Sequence, residues 1–264
     1  MTIFRCRLRH GIITLFRLFA ICMALSSTYG CTRSQPENIF DGTSAARFYR
    51  NSSDDVITLN IPKGHIDYLV HGGFPRKPIE ADLYFVAEAP TLKPRSKENN
   101  ASFEYPNDVV QQVRFSIRSR YQVTPEERRE RMHRVLTIPF DMLSRPCIRD
   151  KQFTERFGLE RYSISPSTCP QVDPSSRDDI LIERNADASI KTIIKCMPDD
   201  VPDTTEQIRT GREAGYRPLC EQSYELPELN SQVTIFYARE YNKEWRLLQQ
   251  RVNALLVSFI PTNR

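Results

Sequence analysis

The chain of 264 residues carries 37 Lys and Arg against 33 Asp and Glu, and the whole excess of four lies in Arg5, Arg7, Arg9 and Arg17. The remainder is electroneutral, which removes the electrostatic case for a nucleic-acid partner or a broad membrane-surface patch. Nine glycines against eighteen prolines argue against a Gly-rich nucleotide-binding fold and suit an irregular α+β protein with stiff loops.

Residues 1–30 read as a secretory signal peptide: a basic start without acids, an apolar run over Leu18–Leu25, then small and polar residues up to Gly30. Arg17 interrupts the apolar stretch, which falls short of the roughly 20 apolar residues of a spanning helix. Cys31 directly follows Gly30, as in a bacterial lipobox, but Thr28 and Tyr29 stand where that pattern has Leu and a small residue. Lipidation of Cys31 and ordinary cleavage nearby both remain open at this point. Export places the remaining cysteines in an oxidising compartment. With Cys31 lipidated, Cys147, Cys169, Cys196 and Cys220 form an even set for disulfides. Four cysteines allow three pairings, and the sequential one would tie two polar loops of about 20 residues each. Zinc normally takes closely spaced Cys pairs with His nearby, and neither is present, so the reading includes no metal and no cofactor.

Residues 31–54 are polar and lack periodicity, and read as a tether leading to a domain over 55–264. Asn51-Ser52-Ser53 and Asn100-Ala101-Ser102 match a glycosylation pattern that matters only in a eukaryotic pathway. The run 56–62, VITLNIP, alternates and ends at Pro62, as a half-buried strand does. Extended character continues through HIDYLV. After Gly72-Gly73 a second strand, ADLYFVAEAP, is predicted to run back against the first as a hairpin with a long loop. TLKPRSKENNASF is a loop. In VVQQVRFSIRSRY the alternation of Val113, Phe115 and Ile117 with Arg114, Ser116 and Arg118 marks a strand. Thr124, Pro125 and Glu127 then supply a capping box for a short charged helix.

The stretch 140–178 is rich in Pro, Ser and charge, with LERYSI as a short strand, and a subdivision of the domain near 150 is left open. DDILIER and SIKTIIKCM flank the turn NADA as a hairpin, and 197–218 is a polar connection. In QVTIFYARE, Val233, Ile235 and Tyr237 alternate as a strand. Trp245, Leu248, Val252, Leu255 and Phe259 then recur at helical spacing until Pro261. The class is α+β: antiparallel sheet with a C-terminal amphipathic helix packed on it and loops tied by disulfides.

No G-x-S-x-G, H-E-x-x-H or phosphate-loop signature is present. His71-Gly72-Gly73 has the form of an oxyanion-hole turn but lacks the serine elbow that would use it, so a plain β-turn explains it. His65 and His71 would share a strand face without a third ligand. Glu80, Asp82 and Glu88 could serve acid–base work, and nothing in the pattern makes them converge. No catalytic residues are assigned.

Taken in order, the signal, the strand ending at Ile61-Pro62-Lys63, DLYFVAEAPTLKPRSKENNASF (82–103) and QVTIFYAREYNKEW…VNALLVSF (232–259) resemble a family. Its members are small periplasmic proteins and lipoproteins encoded beside antibacterial type VI secretion effectors, often lipases, and they act as immunity proteins. The resemblance leaves out the cysteine-containing middle. It implies a non-enzymatic protein in the periplasm, on the outer membrane if Cys31 is lipidated, that neutralises a secreted toxic enzyme by stoichiometric binding. Under that reading the polar loops 72–80 and 91–102 face the partner, through Arg76, Lys77, Arg95 and Lys97. Two other classes stand beside it: a structural lipoprotein of an envelope assembly, and an envelope hydrolase with an unfamiliar site around His65 or His71.

Overall fold

The structure is a computed structural model that describes residues 40–50, 54–67, 82–104, 111–119, 149–152, 155–164, 178–198 and 219–261, together with Glu127, Glu130, Ser167 and Cys169. The signal segment, Cys31, His71, Arg76, Lys77, Glu80, His133 and Cys147 lie outside the described residues. Of the helix expected after Thr124, Glu127 and Glu130 are described, and both are helical.

Two antiparallel sheets make up the described strands. The first is a pair, β1 (Thr43–Tyr49) and β2 (Val56–Pro62), in register from Thr43↔Pro62 to Tyr49↔Val56. The second holds eight strands: β3 (Asp82–Glu88), β4 (Gln112–Ser119), β5 (Asp150–Lys151), β6 (Glu160–Ser163), β7 (Asp179–Arg184), β8 (Ile190–Cys196), β9 (Leu219–Leu226) and β10 (Ser231–Ala238). Their spatial order is β3-β4-β10-β9-β8-β7-β6-β5. A 3₁₀ turn over Arg239–Glu244 leads from β10 into the helix α1 (Trp245–Ser258).

Period-two alternation decides which side of the large sheet is core. Leu83, Phe85 and Ala87 on β3, Val113, Phe115 and Ile117 on β4, and Val233, Ile235 and Tyr237 on β10 are all buried in one cluster. The same cluster takes in Ala46, Phe48, Leu59 and Ile61 of the β1–β2 pair, and Trp245, Leu248, Val252, Leu256 and Phe259 of the helical segment. Each such side chain removed from water contributes about 1.5–3 kcal/mol before entropy is counted. The Phe85 ring stacks on Phe115 at 5.1 Å and meets Phe259 at 5.7 Å. The Asn60 N–H donates to the Phe259 carbonyl at 2.7 Å, which ties β2 to the end of α1.

A layer of satisfied polar groups sits among these apolar ones. Gln222, with no exposure, donates through Nε2 to Gln249 Oε1 at 2.7 Å. Tyr224 Oη donates to Asn253 Oδ1 at 2.7 Å. The Trp245 indole donates to the Phe157 carbonyl at 3.2 Å, and Arg246 reaches Glu183 at 3.0 Å. These bonds join α1 to β7, β9 and the turn before β6. Buried polar pairs with fixed partners select one seating of a helix more sharply than apolar contact alone. On the opposite face of β7 and β8, Ile180, Ile182 and Ile193 form a second, smaller cluster, with Tyr162 and Ile190 beside it.

Several expectations are corrected. The tether over 31–54 contains β1, so the folded part starts before 55: Ala46 and Phe48 are fully buried, a pattern the small and charged neighbours in TSAARFY conceal. β2 does not form a hairpin with β3. It pairs with β1, and β3 pairs with β4. Lys63–His65 form a 3₁₀ turn where extended chain was expected; Ile66 is extended again and bridges Phe85, and the Asp67 N–H donates to the Tyr84 carbonyl at 3.4 Å. No division falls near 150, since β4 pairs with β10 across it and residues 40–264 form one compact unit. β9 was not anticipated: its inward set is Cys220, Gln222, Tyr224 and Leu226, and the polar Gln222 masks the alternation.

Of the three cysteine pairings, the structure contains Cys196–Cys220, at directly opposed positions of β8 and β9. Cys169 is also disulfide-bonded. The Cys196–Cys220 bond spans 24 residues of sequence, most of them polar. Replacing both by serine is expected to lower unfolding free energy by roughly 3 kcal/mol, because the unfolded chain regains the entropy of that loop. Urea titration of the pair of variants checks this, and a change under about 1 kcal/mol would show that β8–β9 pairing needs no covalent tie.

Candidate interaction surface

Chemistry has little to work with in the described region. No group of three His, Cys, Asp or Glu side chains there is placed to hold a metal ion. His65 is 2% exposed, its Nδ1–H donates to the Val86 carbonyl at 3.3 Å, and its ring lies 5.7 Å from that of Phe259. A carbonyl only accepts, so the proton sits on Nδ1. Burial pushes the imidazole pKa down, and the bond to Val86 only partly offsets that. This is a core histidine, not one placed to meet substrate. Asp82 is paired with Arg118 at 2.8 Å across β3 and β4. Glu88 is engaged in holding a loop.

That loop, 89–104, begins the connection from β3 to β4. Its only regular structure among the described residues is a 3₁₀ turn over Asn100–Phe103. The loop is fastened at several points. At its base the Ala89 N–H donates to the Gln111 carbonyl at 2.7 Å. The first turn closes through Leu92 N–H to the Glu88 carbonyl at 2.7 Å and Glu88 N–H to the Lys93 carbonyl at 2.9 Å. Leu92 is held at φ 59° with its side chain buried. Arg251 of α1 donates to the Pro90 carbonyl at 2.9 Å.

Beyond the first turn, the Arg95 N–H donates to the Gly64 carbonyl at 2.9 Å, docking the loop on the 3₁₀ turn after β2. A Cβ at Gly64 would lie 2.3 Å from the Arg95 carbonyl oxygen and 2.9 Å from Pro94 Cβ, so only glycine permits this approach. The Arg95 guanidinium lies 5.0 Å from the Phe40 ring centre and 5.6 Å from that of Phe103, and its Nε donates to Asn100 Oδ1 at 2.8 Å. Each cation–π contact contributes about 0.5–1 kcal/mol at a partly exposed site.

The apex is the turn Ser96–Asn99. Asn99 Oδ1 accepts from the Ser96 N–H at 2.7 Å and from its hydroxyl at 3.2 Å, which fixes Lys97 and Glu98 at the tip. Both tip residues are exposed, as are Lys93 and Pro94. The Ser96 hydroxyl, whose single proton Glu98 shares with Asn99 Oδ1, together with the Glu98 backbone N–H and the Lys97 charge, holds the Glu98 carboxyl below the usual carboxylate range. The result is a stiff polar prominence with opposite charges side by side.

Of the four residues expected to face a partner, Lys97 is exposed at the apex. Arg95 is half-buried, with its guanidinium committed to Phe40, Phe103 and Asn100 inside the loop. Arg76 and Lys77 lie outside the described residues, so Lys97 and Arg95 are not shown to converge with them. Gly64 escaped the sequence reading because its partner Arg95 is distant in the chain, and Glu88 was read there only as a carboxylate for acid–base work. Asn99 carried a signal, since an Asn at the end of a short polar turn commonly bonds back to its backbone.

Taken together, the described residues define an antiparallel α+β protein whose connection after β3 is fastened by backbone and side-chain bonds and carries an exposed charged tip. No known family model matches the chain, and no curated protein matches it either. Among solved structures it is similar to Smlt3025, an immunity protein of the Stenotrophomonas maltophilia type IV secretion system. That likeness has a TM-score of 0.56 at 17% identity and covers 84% of this chain and 94% of the other. The two share a fold.

Two outcomes are expected here. Gly64→Ala should destabilise the protein by about 1–3 kcal/mol through backbone overlap at Arg95, read by thermal or urea unfolding, with raised proteolysis inside 89–104. The folded-state pKa of His65 lies below its ordinary 6.5, so as pH falls through that value the unfolded chain takes up the proton first. The stability from a neutral His65 is complete above this range and is lost as pH drops toward the folded-state pKa. His65→Gln should therefore flatten the fall in stability below the ordinary imidazole range, and an unchanged slope there would show that His65 contributes no such dependence.

Proposed function

We propose that the protein is a periplasmic immunity protein that binds a secreted antibacterial enzyme and neutralises it stoichiometrically. The observation that carries this is the fold shared with an immunity protein over 84% of this chain and 94% of the other. The sequence resemblance reached the same class from separate segments, 82–103 and 232–259. An inhibitor of this kind needs a rigid scaffold with an exposed loop, and 89–104 supplies one.

Finer features belong to the same proposal. The signal over 1–30 delivers the chain to the periplasm, and Cys31, if lipidated, anchors it at the outer membrane. The solved neighbour serves a type IV system, whereas the sequence resemblance pointed to type VI effectors of the lipase class. The two lines of argument agree on immunity and differ on the machine, and the identity of the bound enzyme decides between them.

The test uses contact killing. A strain lacking the gene together with its effector neighbour should be killed by the parent, and the wild-type protein supplied to its periplasm should protect it. Lys97→Glu should weaken binding of the effector about tenfold, mainly through slower association, as expected for a rim charge. Protection should fall accordingly at low expression. Survival of the deletion strain without the protein would contradict the proposal.

A further inference from the structure

We propose that Glu88 is a positioning residue for partner recognition, acting through the amide of Asn99 to set the shape of the 96–99 apex. This rests on the reading of the protein as an effector-binding immunity protein. Glu88 is the last residue of β3. Its backbone closes the first turn of the loop through Leu92 and Lys93, and its carboxylate reaches past that turn to the second half of the loop. Oε2 accepts from Asn99 Nδ2 at 3.3 Å, and Oε1 accepts from the Ser102 hydroxyl at 3.2 Å.

The ionised carboxylate can only accept, so it requires the NH₂ end of the Asn99 amide. That requirement turns the Asn99 carbonyl the other way, onto the Ser96 N–H at 2.7 Å and hydroxyl at 3.2 Å. The other Nδ2 proton goes to the Pro94 carbonyl at 3.0 Å. Flipping the amide would set its oxygen against both the Glu88 carboxylate and the Pro94 carbonyl, and would leave the Ser96 N–H facing an NH₂ group. One negative charge at the end of β3 thus orients one amide, and that amide orients the tip that carries Lys97 and Glu98. Glu88 itself is half-buried and stands behind the tip. Its contribution to binding is preorganisation: the apex does not have to be ordered when the partner arrives.

The experiment compares wild type, Glu88→Ala, Glu88→Gln and Lys97→Glu. Two readouts are taken: amide hydrogen exchange resolved at Ser96, and affinity for the purified enzyme encoded beside the gene. Glu88→Ala should speed exchange at Ser96 and weaken binding, each by about tenfold, the effect of losing charge-assisted hydrogen bonds. Its melting temperature should fall by only a few degrees, and exchange in β4 and β10 should speed up less than at Ser96. Glu88→Gln keeps the volume and one acceptor and should recover most of the affinity. If Glu88→Ala does not fold, Glu88→Gln alone should show the smaller shift in both readouts. Binding lost in Lys97→Glu but unchanged in Glu88→Ala and Glu88→Gln would overturn the positioning role and leave the immunity reading standing. Unchanged binding in all variants would place the contact elsewhere and overturn the proposal. A wild-type protein that does not bind the enzyme overturns both.

Discussion

The pairing of β10 with β4 is the constraint on which the rest of the molecule depends. It runs antiparallel from Ser231↔Ser119 to Phe236↔Arg114 and joins strands from opposite halves of the chain. Without it, β3–β4 would be an isolated ribbon and β5–β10 a separate sheet. Closing so long a loop is entropically costly and slows folding. The compensation is apolar. Val113, Phe115 and Ile117 meet Val233, Ile235 and Tyr237 on one face, and the β1–β2 pair and α1 contribute to the same cluster. Because that face is shared by elements from both ends of the chain, the register of β4 against β10 also fixes where the 89–104 loop stands.

Legibility in the sequence followed the purity of the local pattern. β4, β10, the β7–β8 hairpin and the C-terminal helix were readable because most of their inward positions are apolar at the right period. β1 and β9 were not, since Ala46 is small and Gln222 is polar, and both are buried only because of partners far away in sequence. The β2–β3 hairpin was the natural reading of two adjacent alternating runs. The 3₁₀ turn at Lys63–His65 and the preference of β2 for β1 are tertiary facts that no local window contains. For the candidate surface, the loop was legible as a polar, punctuated stretch. The division of labour within it was not: Arg95 and Lys97 are two residues apart and both cationic, yet Phe40, Phe103 and Asn100 hold the one as a structural cation and leave the other exposed.

The way the loop is held matters for the proposed function. An inhibitor of a secreted enzyme gains affinity by presenting a shape that is already ordered. Gly64 allows close docking, Arg95 clamps between two rings, and Glu88 and Asn99 lock the tip. Each contact alone is modest. Their convergence on one connection is what distinguishes 89–104 from an ordinary surface loop. The described residues that looked most like chemistry, His65, Asp82 and Glu88, are all committed to structure.

The most direct measurement is calorimetric titration of a purified candidate effector enzyme with the protein lacking residues 1–31, alongside an activity assay of the same mixture. The account predicts a tight 1:1 complex and enzyme activity that falls linearly to zero at equivalence. An enzyme that releases no heat on mixing and keeps its full activity at excess protein would contradict it.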